Sequence, residues 1–149
     1  KSELLLEEPY CLVYKELVPP ESLENVPFIK YQTDASVANI IETWCAEHFE
    51  EPPSVAMDVN SMSTCRHFVR AGLGWSILTY MGLGSCKDRD IYVSPLRSKD
   101  GTYITRDTNM VYTKDSENLI VVKTFIEYVR NYYKEHTVVD NSILREYKS

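Results

Sequence analysis

The residues best suited to chemistry lie in two short polar stretches. One is Val59-Asn60-Ser61-Met62-Ser63-Thr64, and the other is Tyr31-Gln32-Thr33-Asp34-Ala35-Ser36. Each follows a short apolar run and precedes a helical pattern. Each therefore joins side-chain hydroxyls or amides to the free backbone N–H groups of a helix start. Such donors, with the helix dipole, favour an anionic group such as a carboxylate or sulfate. Either stretch alone is explained by ordinary N-capping, which is worth about 1 kcal/mol per helix. Two such turns at strand ends of one small lobe strengthen the binding reading, because open α/β sheets hold ligands outside the carboxyl ends of their strands. Asp34 opposes direct contact with an anion at its own turn. It suits fixing the helix or meeting a ligand's amine.

Other candidates reduce to structure. Gly72-Leu73-Gly74 follows a helix and opens a strand, whereas a dinucleotide-binding glycine turn does the reverse. Trp75, just beyond it, is retained as a residue that can line a cleft, although a core or interface role is commoner for Trp. Cys65 and His67 stand two apart and so point to different sides of a helix, and no second pair completes a metal set. No metal or cofactor is expected. His48 suits a helix end as a favourable cation. There is no G-x-S-x-G and no defensible nucleophile–base pair. The acidic stretches at Glu7-Glu8 and Glu47-Glu50-Glu51 read as solvated faces. No catalytic residue is assigned, and no enzyme is expected.

The elements around these turns follow from periodicity. Runs at 10–14, 28–31, 55–59, 75–79 and 91–93 read as strands, as do 103–105 and 110–113. Pro9 bounds the first of these, and residues 4–6 are either the tail of a strand or an apolar plug. Residues 15–27 hold three prolines and read as a connection with one helical turn near 21–24. Val37, Ile40, Ile41 and Trp44 recur at i, i+3, i+4 and i+7, so a helix follows Thr33, Asp34 or Ser36 as N-cap and stops before Pro52-Pro53. Ser61 or Ser63 caps a second helix with Cys65, Phe68 and Val69 inside. Gly72 ends it in the left-handed conformation. Residues 81–90 read as loop with a helical turn. The longest helix is expected from Ser116 to about Glu135. Its expected buried face is Leu119, Val122, Phe125, Ile126, Val129 and Tyr133. Residues 136–149 carry no pattern. Alternating strands and helices favour a mostly parallel α/β sheet.

The 149 residues suffice for one ordinary domain or two small lobes. With 44% hydrophobic and 26% charged residues the composition is that of a globular protein. Sixteen Lys and Arg against 22 Asp and Glu leave a formal charge of −6, which argues against a general basic surface for nucleic acid or anionic membrane. No apolar run approaches membrane-spanning length, and KSELLLEEPY is not a signal peptide. The first residue is Lys rather than Met, so a segment of a longer protein is expected. Cys11, Cys45, Cys65 and Cys86 are widely and irregularly spaced, with no CxxC. Reduced thiols in a cytoplasmic protein are the expectation.

The order of these features resembles the LysR-type transcriptional regulators. SMSTCRHFVRAGLGWSIL resembles that family's polar turn, helix ending in V-x-x-G-x-G (here Val69 to Gly74) and strand. LEEPYCLVY, SLENVPFIKYQTD and MVYTKDSENLIVVKTFIEYVRNYY resemble, in order, the strand leaving the first lobe, the loop–strand–helix start, and the returning strand with the closing helix. The resemblance runs to about His136. It implies a type 2 periplasmic-binding-protein-like α/β fold of two Rossmann-like lobes joined by two crossing strands, with a small-molecule effector between them. The crossings would fall near 13–16 and 108–112. Residues 17–108 would form a complete second lobe, and 1–16 with 109–149 part of the first. Thr33 and Ser36 match the cleft position after the second lobe's first strand, and Asn60, Ser61 and Ser63 the position after its next strand. Thr79 or a neighbour stands where the family often has Pro. The implied partners are a carboxylate, amino acid or inorganic anion as effector, a homodimer or tetramer in the full-length protein, and DNA through an N-terminal domain outside this chain. No membrane partner is implied. A solute-binding protein for transport and a dimerisation module without ligand are the alternatives. An α/β enzyme is a further rival, one with no constellation to support it.

Overall fold

The computed structural model describes residues 1–15, 20–83 and 91–136. Expectations for Cys86, for most of the 81–90 loop and for the tail lie outside these residues. The strands are β1 (Ser2–Tyr14), β2 (Phe28–Tyr31), β3 (Val55–Val59), β4 (Ser76–Thr79), β5 (Tyr92–Pro95) and β6 (Thr105–Val111). The helices are α1 (Ala35–His48), α2 (Met62–Arg70) and α3 (Ile120–His136), with 3-10 turns at Pro20–Asn25, Met81–Leu83 and Ser116–Asn118.

β1 is the longest strand and changes partners along its length. Tyr10 to Val13 pair with β4, and Cys11 to Tyr14 pair with β5 on the other side, both antiparallel. Residues 10–14 are apolar without interruption because both faces of this central stretch are covered, and all five are buried. Before them, Ser2 to Pro9 pair antiparallel with β6. Pro9 does not break the strand. It lies where β1 passes from one partner to the next, and its carbonyl accepts from the Tyr80 N–H at 3.0 Å. The two strands expected near 103–105 and 110–113 are one strand, β6, preceded by an isolated bridge from Tyr103 to Arg97.

β2 and β3 pair in parallel. β2 joins the start of β4, also in parallel, through the bridge of Phe28 to Trp75 and the bonds Ile29 N–H to Trp75 C=O (2.9 Å) and Trp75 N–H to Pro27 C=O (3.0 Å). The continuous order is therefore β3-β2-β4-β1-β5. The sheet is mixed rather than mostly parallel. Short apolar strands look alike in either direction, and β1 runs against both its neighbours.

α1 buries Val37, Ile41, Trp44 and Cys45, the expected stripe. α2 buries Cys65 and Val69. Gly72 ends α2 at φ +80°, with its N–H on Val69 C=O and the Leu73 N–H on Phe68 C=O. Phe28, Trp44, Phe49 and Trp75 form one aromatic cluster, with centroids 4.8 Å (Phe28–Trp75) to 6.2 Å (Trp44–Trp75) apart.

α3 departs from expectation. Its first turn is the 3-10 turn at Ser116–Asn118, and Leu119 follows in extended conformation, 60% exposed. Phe125 is 62% exposed. Only Ile126 of the expected face is buried, with Val122, Val129 and Tyr133 half-buried on the same stripe toward β1. Phe125 lies one residue round the helix, in a second apolar stripe with Val121, Tyr128 and Tyr132 that faces solvent. Arg130 anchors α3 to β1 through two 2.7 Å bonds from its guanidinium to the Glu3 carboxylate.

A Cβ on Gly74 would clash with the Pro27 carbonyl oxygen, whereas one on Gly101 (φ +85°) would meet nothing within 4 Å. Gly74→Ala is therefore expected to destabilise by about 3 kcal/mol through overpacking. Gly101→Ala is expected to cost only the backbone term, about 1 kcal/mol. Urea unfolding midpoints of the two variants check this order.

Candidate functional site

Because β2, β3 and β4 run parallel, their carboxyl ends share one edge of the sheet. α1 springs from that edge after β2, α2 after β3, and the Met81–Leu83 turn after β4. The two polar turns are held together by Gln32. Its backbone N–H bonds to Val59 C=O (2.9 Å), and its side-chain amide donates to Asp58 Oδ1 (3.2 Å).

Asp34, of the three candidates, caps α1: its Oδ1 accepts from the Val37 N–H at 3.0 Å. Thr33 and Ser36 flank the cap and are exposed. Ser61 caps α2, its Oγ accepting from the Thr64 N–H at 3.1 Å. The Thr64 hydroxyl lies 3.0 Å from Ser61 Oγ and donates to Asn60 Oδ1 at 3.2 Å. Ser63 is exposed on the first turn of α2. Thr33, Ser36, Asn60, Ser61 and Ser63 thus come to one edge. Thr64 joins them and was readable as the third residue after a Ser cap.

Trp75 does not join them. It is 0% exposed, packed in the aromatic cluster, and its indole N–H donates to Val26 C=O at 3.0 Å. It precedes β4 and so lies at the amino end of that strand, away from the edge where the helices start. Trp75 is a core residue.

The crossing strands supply groups that local patterns did not reveal. Glu8 is buried, and its Oε2 accepts from the Met81 N–H at 2.8 Å. Burial pushes its carboxyl above the usual glutamate range, opposed by that bond and by Arg106. Tyr10 and Tyr31 are buried, and desolvation raises both phenols, so each acts as a neutral group. Tyr31 donates to Ile77 C=O at 2.7 Å. Burial also raises the thiols, Cys11 to about 12 and Cys45 and Cys65 to about 11. These three are core thiols with little thiolate at neutral pH.

A groove of about 520 Å³ runs along the flank of α1 and β2, lined by Phe28, Ile41, Phe49 and Val55 with Glu42 and Glu50. Thr33 reaches it, but Ser36, Asn60, Ser61 and Ser63 do not. It is mainly apolar, and its charged lining is Glu42, Glu50 and Glu51 against the single cation Lys30, a balance that disfavours an anion. The polar edge is the better candidate for an anionic ligand. Among the described residues no group of three or more His, Cys, Asp or Glu is placed to hold a metal ion, and no helix is long and apolar enough to cross a membrane.

A mixed sheet of this order, entered and left by a pair of crossing strands, defines the type 2 periplasmic-binding-protein-like fold. Residues 1–134 match the LysR substrate binding domain family, and the chain belongs to that family. It is 34% identical over 128 residues to the uncharacterized HTH-type transcriptional regulator YraN of Bacillus subtilis (strain 168), covering 86% of this chain and 44% of that protein. The chain thus spans less than half the length of this relative. The CcmR regulatory domain of Synechocystis PCC6803, solved in complex with 2-PG, shares the fold with a TM-score of 0.69 at 16% identity, over 93% of this chain and 69% of that one. The regulatory domain of HypT from Salmonella typhimurium, in its apo form, does so with a TM-score of 0.66 at 17% identity, over 91% and 66%.

Glu8 gives a testable pH dependence. Its native carboxyl titrates above its unfolded value of about 4.5, so the folded state binds more protons in the window upward from there. Its contribution to stability is present at low pH and is lost as pH rises through the native value. Glu8→Gln keeps an acceptor for the Met81 N–H and removes the titration. Thermal melts from pH 4 to 8 are expected to show a flatter acid-to-neutral profile in the variant, with equal or higher stability at neutral pH.

Proposed function

We propose that this chain is the effector-sensing part of a LysR-type transcriptional regulator, acting in the cytoplasm and taking a small anionic molecule at the polar edge of the sheet. The observation that carries this is the convergence of two side-chain-capped helix starts, at Asp34 and Ser61, on one edge beside the crossing strands. CcmR was solved with 2-PG and HypT with a bromide ion, which supports a small anionic occupant. In this reading the lobes divide along the ribbon of β1 and β6: residues 10–14 lie in the sheet between β4 and β5 and so belong with the lobe of 17–108, while 1–9 and 109–149 are part of the other. Ligand held between lobes favours one relative angle, and that shift in population alters how a homodimer or tetramer presents its DNA-binding domains. The mechanism needs no catalytic step, metal or cofactor.

The test is a thermal-shift screen of the full-length protein against small carboxylates, amino acids and inorganic anions, repeated with the Asn60→Ala/Ser61→Ala double variant. The variant is expected to fold, losing about 1 kcal/mol with the cap, and to bind about tenfold more weakly. Unchanged binding by the variant removes the site assignment. The absence of any stabilising ligand removes effector sensing and leaves a dimerisation module.

A further inference from the structure

In the ribbon of β1 and β6, Glu8 lies opposite Arg106, and Pro9 opposite Thr105. Residues directly opposite in an antiparallel pair present their side chains on one face, and alternation along β1 adds Tyr10 to that face. The direction of the face is fixed by two contacts. Glu8 reaches the Met81 N–H just beyond β4, and Tyr10 is paired with Thr79, the last residue of β4. Arg106 therefore stands just outside the sheet edge from which α1 and α2 start. The opposite face carries Glu7 across from Asp107, both exposed acids.

Arg106 is exposed, and among the described residues its guanidinium makes no salt bridge. Its natural partner, Glu8, is engaged by the Met81 amide. Its charge nevertheless acts on Tyr10 and on Tyr31, and the carboxylate of Asp34 acts on the same two phenols in the opposite sense. Arg106, Asp34, Glu8 and the two tyrosines thus surround one corner, between the ribbon and the first turn of α1. Among the described residues, the charged and titratable groups at that corner are these five, with the Cys65 thiol also acting on Tyr31. Among the described residues Arg106 is the cation at that corner; it acts on the Glu8 carboxyl through space but forms no salt bridge, and in a chain of net charge −6 it is the group there that attracts an anion.

We propose that Arg106 is the effector-binding cation of this cleft, receiving a carboxylate or other oxyanion of the ligand while Asn60, Ser61 and the start of α1 hold its remaining polar atoms. The inference rests on the effector-binding reading above and narrows it. A planar guanidinium offers two parallel N–H donors, which match two oxygens of one oxyanion and not a spherical halide. The effector class is therefore small oxyanions, with selectivity against halides.

The test uses the full-length protein with succinate, inorganic phosphate and sulfate as separate probes, against sodium bromide at equal ionic strength. Isothermal titration compares the native protein with Arg106→Gln, Arg106→Lys and Asn60→Ala/Ser61→Ala. At least one oxyanion is expected to bind in preference to bromide. Arg106→Gln is expected to weaken it about tenfold or more, with Arg106→Lys between the two. Melting temperatures without anion should be unchanged by Arg106→Lys, which keeps the charge beside Glu8, and lowered only slightly by Arg106→Gln, which removes it. If Asn60→Ala/Ser61→Ala weakens binding and Arg106→Gln does not, the cleft stands and the assignment of Arg106 is overturned. If neither affects binding, or no oxyanion binds the native protein, the cleft reading falls with it.

Discussion

The antiparallel seating of β1 between β4 and β5 is the constraint on which the rest depends. Residues 10–14 have sheet partners on both sides and bury every side chain. A strand running against β4 must enter the sheet at the carboxyl end of β4. The earlier half of β1, paired with β6, therefore projects from that same end. β2 and β3 run with β4, so their carboxyl ends and the helices that follow lie there too. The ribbon and the two helix starts share a corner because of strand direction alone, before any side chain is considered.

The opposite end of the sheet does different work. Phe28 opens β2, Trp75 precedes β4, and Trp44 and Phe49 come late in α1 or just after it. α1 runs back against β2, so all four rings meet at the amino ends of the strands. Trp44 and Trp75 satisfy their indole N–H groups on the carbonyls of Arg97 and Val26, both at 3.0 Å. Aromatic pairs of this kind contribute about 0.5–1.5 kcal/mol each beyond their buried area. The fold thus concentrates its aromatic packing at one end and leaves the other to the polar turns.

Much of this was legible in the sequence where the information is local. The α1 and α2 stripes, the glycine stop at Gly72 and the two polar turns all follow from spacings of three or four residues. What was not legible depends on partners distant in the chain. The direction of each short apolar strand cannot be read from its own residues. Glu8 looked like a solvated acid because nothing near it in sequence shows that Met81 will cover it. Arg106 takes its meaning from a register with a strand about a hundred residues earlier, which no local pattern shows. The α3 stripe misled for another reason: two apolar stripes lie side by side on one helix, and periodicity does not say which faces β1. The place of Trp75 is itself legible, because a residue before a strand belongs to the amino end and ligands gather at the other.

The corner geometry also bears on how binding becomes a signal. A ligand shifts a conformational equilibrium only by the difference between its contacts in the two states. Contacts confined to the α1 and α2 starts are the same whatever the ribbon does, because both helices are packed on one sheet. Contacts that also reach the ribbon are not. Arg106 is one residue from the start of β6, and α3 is tied to the other end of the ribbon by Arg130 and Glu3. An anion gripped by Arg106 and by the helix starts together would resist any change in the angle between ribbon and sheet. In the proposed function, the groups on the helix starts therefore set affinity, while the groups on the crossing strands decide whether binding is transmitted.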